Sequence, residues 1–138
     1  MIKLVEALNY RCLRYVRQPL DPFHILVGPN ASGKTTFLDV AGFLGDLLKR
    51  GLDQAIRERS SSSSIEDLFF LNRGSQFELA LEMEVPENLR ELTVGKTYRC
   101  VRYEIAIGKA KTGEYHIFDE QVILQEEASS ATPTHAPK

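Results

Sequence analysis

Apolar and polar residues alternate along three stretches in the second half of the chain, residues 77–85, 101–107 and 115–124. A period of two is typical of a β-strand that buries one face. In the first stretch Glu78, Glu82 and Glu84 fall on the second face, which predicts an acidic surface turned toward water. The short connection through Gly113 indicates a hairpin. The pattern therefore predicts an antiparallel β-meander over residues 76–124.

The first half of the chain changes period twice. Residues 2–8 and 14–18 are rich in β-compatible side chains, and residues 23–27 (FHILV) form a nearly continuous apolar run. Such a run predicts a strand buried on both faces. Helical spacing follows and predicts a helix over residues 33–50. The apolar positions of this helix are Phe37, Leu38, Ala41, Leu44, Leu47 and Leu48. A short second helix is predicted at residues 52–59.

Between the apolar run and this helix lies the motif G-x-x-x-x-G-K-[ST]. It comprises Gly28, Pro29, Asn30, Ala31, Ser32, Gly33, Lys34 and Thr35, and is followed by Thr36. The glycines let the backbone curl so that its N–H groups converge on phosphate oxygens, and the start of the helix adds free N–H groups. The lysine places a positive charge on the β- and γ-phosphates, and the threonine hydroxyl suits Mg²⁺. The sequence predicts a nucleoside triphosphate site at residues 28–36.

Length and composition narrow the class of protein only a little. The 138 residues suit one domain, which we assign to residues 1–125, with residues 126–138 (EEASSATPTHAPK) as a linker or disordered tail. A net charge of −2 gives no general attraction to nucleic acid. The N-terminus predicts no signal peptide, and no apolar stretch is long enough for a membrane helix. We therefore expect a cytoplasmic protein that does not contact a membrane.

The loop and the N-terminal stretch resemble one class of phosphate-loop protein. GPNASGKTT is similar to the Walker A motif of the ABC/SMC superclass, and residues 2–13 (IKLVEALNYRCL) resemble the opening I-x-x-L-x-[ILV]-x-N-[FY]-[RK]-[SC]-[FL] of RecF-, SMC- and OLD-type ATPases. Segments 68–74, 77–79 and 103–105 look like the β-arm of AAA-family ATPases of the RecF/OLD kind. The resemblance implies an α/β fold, the N-terminal lobe of an ABC/SMC-like P-loop NTPase, with a mixed sheet and an antiparallel β-arm.

The resemblance also implies ligands and partners. It implies that Mg-ATP binds at residues 28–36 with Thr35 on the Mg²⁺, and that Arg11 matches the basic residue that lies near the phosphates in relatives. The alternative is that Arg11 is a solvated turn residue. Arg14 and Arg17 continue a basic stripe with it, and a solvated strand face is a better explanation of that stripe than contact with nucleic acid or phosphate. A complete ATPase head of this class forms a homodimer and acts on nucleic acid or in a defence response. The sequence does not specify the target, the effector or whether the bound base is adenine or guanine.

Two parts of such an ATPase are missing from the chain: an LSGGQ-like signature and a clear Walker B strand. Residues 115–120 (YHIFDE) imitate Walker B, because an apolar run ends in Asp119 and Glu120. The short hairpin before this strand makes it antiparallel to its neighbour, whereas Walker B lies parallel to the loop strand. Asp119 and Glu120 are therefore weak candidates for catalytic work, and we expect the chain to be the N-terminal lobe of a longer ATPase.

Three functions are consistent with these features. The first is the ATP-binding lobe of a RecF/SMC/OLD-type ATPase, in which hydrolysis needs the missing half and dimerisation. The second is a small phosphate-loop kinase, which requires parallel strands after the first helix. The third is a non-catalytic module that uses ATP as a structural ligand.

Overall fold

The computed structural model describes residues 1–61, 64–92 and 97–128. Within them, five strands form one sheet in the order β2-β1-β3-β4-β5, and every neighbouring pair is antiparallel. The bounds of the strands are β1 Ile2–Tyr10, β2 Leu13–Pro19, β3 Gln76–Glu84, β4 Cys100–Lys109 and β5 Tyr115–Gln125. The predicted meander is confirmed. The sheet also joins it to the N-terminal hairpin, because β1 pairs with β3.

Helices occupy the connection between β2 and β3. α1 spans Lys34–Arg50 and α2 spans Leu52–Arg57, as the sequence predicts to within two residues. Two 3-10 turns, Ile65–Leu68 and Phe70–Asn72, lead back to the sheet, and a single helical turn, α3 at Glu87–Arg90, follows β3. No helix in the described ranges is long and apolar enough to cross a membrane.

The core lies between α1 and one face of the sheet. Its centre is an aromatic cluster in which Phe77 of β3 packs on Tyr10, Phe43 and Phe69, with ring centroids 5.2, 5.7 and 6.2 Å away. α1 buries Phe37, Val40, Phe43, Leu44 and Leu47 here. Leu38 and Leu48 were predicted on the buried face of this helix, but they are 64% and 65% exposed. Among the described residues, nothing covers these two side chains.

The prediction of a buried strand at residues 23–27 is wrong in this structure. The segment has no strand geometry, and Phe23, Ile25 and Val27 are 80%, 66% and 88% exposed. Leu26 alone packs against the core. A strand buried on both faces needs a neighbour on each edge and cover on each face. The five described strands pair only among themselves, so the expected mixed sheet is antiparallel throughout.

The second face of the sheet also differs from the prediction of an acidic surface turned toward water. Glu82 is fully buried and accepts a hydrogen bond from Arg102 at 3.1 Å, while Arg102 also donates to Glu6 at 2.7 Å and to Glu104. Arg17 lies 3.6 Å from Glu6 and is nearly buried. Charged side chains from four strands thus lie across the sheet and shield one another, because a buried carboxylate is tolerated only when it is paired.

The expected boundary at residue 125 coincides with the end of β5, but the linker or tail at 126–138 stays a prediction. Residues 129–138 lie outside the part of the chain that the structure describes.

Candidate nucleotide-binding site

The motif loop lies directly before α1, as the sequence predicts. Gly33 is the N-cap, with φ of 90°, and the first helical hydrogen bond runs from the amide of Phe37 to the carbonyl of Gly33 at 2.8 Å. The amides of Lys34, Thr35 and Thr36 therefore have no acceptor within the helix. No side chain caps this end, and no acidic residue occupies the first turn. Free N–H groups and the helix dipole favour an anion at this position.

Lys34 folds back over the loop. Its Nζ donates to the carbonyl oxygens of Gly28 and Pro29, both at 2.6 Å, and to Ser32 Oγ at 3.3 Å. The ammonium group thus lies inside the curve of residues 28–33. Ala31 in the middle of the loop and Gly33 at its end both have positive φ, 64° and 90°.

The two glycines of the motif stand where a larger residue would be crowded or strained. A Cβ on Gly28 would come within 2.8 Å of Ser32 Oγ and 3.9 Å of Lys34 Nζ, so the serine side chain would have to move. Gly33 has φ of 90°, and a Cβ there would meet Leu13 Cδ2 at 3.1 Å and Cys12 Sγ at 3.3 Å. The residues present fit a phosphate group, because the hollow is lined by backbone, the Ser32 hydroxyl and the Lys34 ammonium group.

Arg11 lies beside the first two turns of α1, on the turn that joins β1 to β2. Its Nη1 is 3.6 Å from Asp39 Oδ2, and its neighbour Cys12 donates from Sγ to Thr36 Oγ1 at 3.2 Å. The turn is left-handed at Asn9 and Arg11, with φ of 56° and 53°. Left-handed residues other than glycine are uncommon and are often found at functional sites. The structure thus brings Arg11 to the same helix as Lys34.

The basic stripe of Arg11, Arg14 and Arg17 does not exist as a unit. Arg11 pairs with Asp39, Arg17 is nearly buried beside Glu6, and Arg14 is exposed. Arg73 lines a cleft of about 560 Å³ between the end of β1 and residues 70–78. The three arginines of the stripe therefore have different surroundings and cannot act as one basic surface.

Asp39 and Arg59 are residues that the sequence did not single out. Asp39 accepts hydrogen bonds from Tyr10 Oη and Arg59 Nε, both at 2.8 Å, and it lies five residues after Lys34. Burial, and then the neighbouring Asp39 carboxylate, raise the pKa of Tyr10 well above its ordinary value. A polar residue in the second turn of an amphipathic helix gives too weak a signal to find this pairing from sequence.

Asp119 and Glu120 lie on β5, at the edge of the sheet. Asp119 accepts a hydrogen bond from Gln121 at 2.9 Å, and Glu120 accepts one from Tyr103 at 2.7 Å, so burial and Glu120 raise the pKa of Tyr103. β5 runs antiparallel to β4, which is the geometry that argues against a Walker B strand. Among the described residues no group of three or more His, Cys, Asp and Glu side chains is arranged to hold a metal ion. At this loop Thr35, which is exposed, is the candidate for Mg²⁺.

Comparison with known proteins agrees with the loop and its context. Residues 23–121 match the family described as "AAA domain, putative AbiEii toxin, Type IV TA system". A segment of 48 residues is 44% identical to the OLD nuclease of Thermus scotoductus. This segment covers 34% of the chain and 9% of that relative, so the two proteins share only a small part of the relative's length. Because the family match covers most of the chain, the chain belongs to this AAA-domain family, and its features are those of the N-terminal region of AAA/ABC-type P-loop ATPases.

Proposed function

We propose that this member of the AAA-domain family is the Mg-ATP-binding lobe of an ABC/SMC/RecF-type ATPase. The observation that carries the proposal is the hollow formed by residues 28–33, into which Lys34 projects and which opens onto the uncapped N-terminus of α1. The family implies a nucleotide and usually Mg²⁺. In this lobe Lys34 and the amides of the first turn would bind the β- and γ-phosphates, and Thr35 would provide a hydroxyl ligand to the metal.

Hydrolysis requires groups that the described residues do not bring to the loop. Mg²⁺ lowers the barrier to phosphoryl transfer by neutralising charge on the phosphates, and a carboxylate usually orients the attacking water. Asp119 and Glu120, the weak candidates for this work, are on the far edge strand and hydrogen-bond to Gln121 and Tyr103. We propose that the water-orienting carboxylate and the signature motif come from a segment outside this lobe, and that two heads combine to complete the site.

Exposed apolar side chains on both sides of the loop support this proposal. Phe23, Ile25 and Val27 are exposed before the loop, and Leu38 and Leu48 are exposed on α1 after it. Exposed apolar patches mark interaction sites, and residues 23–27 place three such side chains within a short segment. We propose that parallel strands of the remaining half pair with residues 23–27 and cover α1, and so complete the sheet around the phosphate loop.

The biological setting is proposed from the relatives. One is named as a nuclease, and the family description names a toxin of a toxin–antitoxin system. We propose that ATP turnover by the complete protein serves a nucleic-acid transaction or a defence against phage. The sheet is antiparallel from β3 onward, which disfavours a small phosphate-loop kinase, since that fold needs parallel strands after the first helix.

The direct test is nucleotide binding by the purified chain. Mg-ATP should raise the melting temperature of the wild type, and Lys34→Ala should abolish that increase because the β- and γ-phosphates lose their positive partner. Lys49→Ala, which removes an exposed lysine at the other end of the same helix, is the matched control and should respond like the wild type. An equal ATP response in the wild type and Lys34→Ala would refute the site.

Turnover separates the candidate functions. For the ATPase lobe we expect no release of phosphate by the chain alone, and release once the remaining half is supplied. Labelled ATP that transfers phosphate to an acceptor other than water would indicate a kinase. Tight binding with no turnover in the presence of the remaining half would indicate a module that uses ATP as a structural ligand.

A further inference from the structure

The carboxylate of Asp39 joins three elements beside the phosphate loop. Oδ2 accepts a hydrogen bond from the buried Tyr10 at 2.8 Å and lies 3.6 Å from Nη1 of Arg11, while Oδ1 accepts from Nε of Arg59 at 2.8 Å. Tyr10 is the last residue of β1, Arg11 is the first residue of the turn between β1 and β2, and Arg59 follows α2. One side chain of α1 thus holds the turn that carries Arg11.

Arg59 fixes the orientation of this carboxylate. Its Nη2 donates to Asp46 at 2.8 Å, its Nη1 donates to the carbonyl oxygen of Ala55 at 3.2 Å, and its guanidinium lies over the ring of Phe43, 5.3 Å from the centroid. The side chain is 10% exposed. A planar guanidinium engaged on all sides has little freedom. Asp39 therefore offers its second oxygen to Tyr10 and Arg11 at a defined position.

The contact between the turn and α1 repeats along one side of the helix. A Cβ on Gly33 would meet Cys12 and Leu13, Thr36 accepts the hydrogen bond of Cys12, and Asp39 contacts Tyr10 and Arg11, which precede Cys12. Residues 33, 36 and 39 are spaced by three and lie on one face of the helix. The backbone of Arg11 is fixed on the other side, since its amide donates to Leu68 and its carbonyl accepts from Leu71. The free part of Arg11 is its side chain, and Asp39 is its anchor.

We propose that Asp39 is a positioning residue, which holds the guanidinium of Arg11 against α1 so that it is ordered beside the phosphates bound at residues 28–36. The inference rests on the proposed function and deepens it. Asp39 itself does not touch the nucleotide, and it acts through Arg11. Arg59 acts one step further away, because it sets the direction of the Asp39 carboxylate.

The sign of the effect distinguishes positioning from simple electrostatics. Replacing a carboxylate near an anion site by an amide makes the site more positive and, by charge alone, tightens ATP binding. If Asp39 positions Arg11, the amide weakens ATP binding, because the released side chain must be ordered when it meets the phosphates. The same substitution therefore gives opposite results under the two explanations.

The test is a double-mutant cycle on the 138-residue chain, with the Kd for Mg-ATP measured by calorimetry. Asp39→Asn should raise the Kd by roughly five-fold, the effect expected when a long charged side chain loses its order, and should change it less than two-fold when Arg11→Ala is already present. Asp53→Asn is the matched control, since it makes the same change of carboxylate to amide on α2 at a residue that accepts its hydrogen bond from Tyr115 and has no place in the chain from Arg59 through Asp39 to Arg11. That control should leave the Kd unchanged.

A second measurement needs no nucleotide. The ¹⁵N relaxation of the Arg11 Nε group should show an ordered side chain in the wild type and in Asp53→Asn, and a mobile one in Asp39→Asn. If the wild type does not bind ATP, the proposed function fails and this measurement alone decides whether Asp39 holds Arg11. Equal mobility in wild type and Asp39→Asn overturns the positioning role, as does tighter ATP binding in Asp39→Asn or an effect that is additive with Arg11→Ala.

Discussion

The sequence pattern predicts a strand at both β3 and residues 23–27, yet their surroundings are opposite. In β3, Phe77 is 1% exposed, because β1 and β4 pair with the strand on its two sides and α1 covers its face. In residues 23–27, Phe23 is 80% exposed and no described strand pairs with the segment. The unpaired segment has the more β-prone composition, FHILV, whereas β3 contains three glutamates, so propensity does not explain the difference. The contrast shows that an apolar run becomes a buried strand only where other elements supply both its hydrogen bonds and its cover.

The largest expected effect is at the centre of the paired region. Phe77→Ala should lower the free energy of unfolding by about 3–5 kcal/mol, because it removes the ring on which Tyr10, Phe43 and Phe69 pack. Urea denaturation followed by circular dichroism measures this change. A loss below about 1 kcal/mol, which is typical of a surface substitution, would show that the aromatic cluster is not the core.

The second effect concerns the opposite face of the same strands. Arg102→Ala should cost about 3 kcal/mol, since it removes the guanidinium that donates to the buried Glu82 and to Glu6. Arg50→Ala is the control, because Arg50 and Glu58 form an ion pair near the surface that is worth under about 1 kcal/mol. Equal losses in the two variants, measured by urea denaturation, would mean that the ion pairs across the sheet behave like surface pairs.

A pH effect is expected where the 3-10 turn Ile65–Leu68 meets the sheet. Hydrogen bonds from Lys109 at the end of β4, and then from Ser64, lower the pKa of Glu66 from 4.5 to about 2. Because the folded-state pKa is depressed, this stabilisation is complete above pH 4.5 and is lost as the pH falls toward 2. The melting temperature of the wild type should therefore fall more steeply across this range than that of Glu66→Gln.

The matched control for this titration is Glu87→Gln, which changes an exposed carboxylate on α3. Its melting temperature should follow the wild-type curve between pH 4.5 and 2. If the wild-type melting temperature falls in parallel with that of Glu66→Gln, the contact between Glu66 and Lys109 contributes nothing to the stability of the fold.

The smallest expected effect is at the unpaired segment. Phe23→Ser should change the free energy of unfolding by less than about 0.5 kcal/mol, because the ring is already in water in this chain. It should also reduce self-association, measured by light scattering, since it interrupts an exposed apolar surface. A loss of stability close to that of Phe77→Ala would mean that residues 23–27 are buried in solution and that the contrast with β3 is wrong.

Much of the fold follows from local pattern. The alternation in residues 76–124 predicted β3, β4 and β5 in the right order and pairing, and the period of 3.6 predicted α1 to within one residue. The motif at Gly28–Thr36 predicted a loop at the start of a helix, and the structure places it there. These features depend on residues that are close in sequence, so the chain specifies them without reference to distant parts.

Contacts between distant residues were decided by the tertiary structure alone. Three such contacts join residues at least 20 positions apart. They are the pairing of β1 with β3, the ion pair of the buried Glu82 with Arg102, and the contacts of Asp39 with Tyr10, Arg11 and Arg59. The sequence pattern indicates which side chains are stabilised by burial or pairing, but it does not identify the residues that they contact. Residues 23–27 show the same limit. Their sequence determines that they suit a strand, but only pairing with neighbouring strands decides whether their backbone is hydrogen-bonded and their side chains are buried.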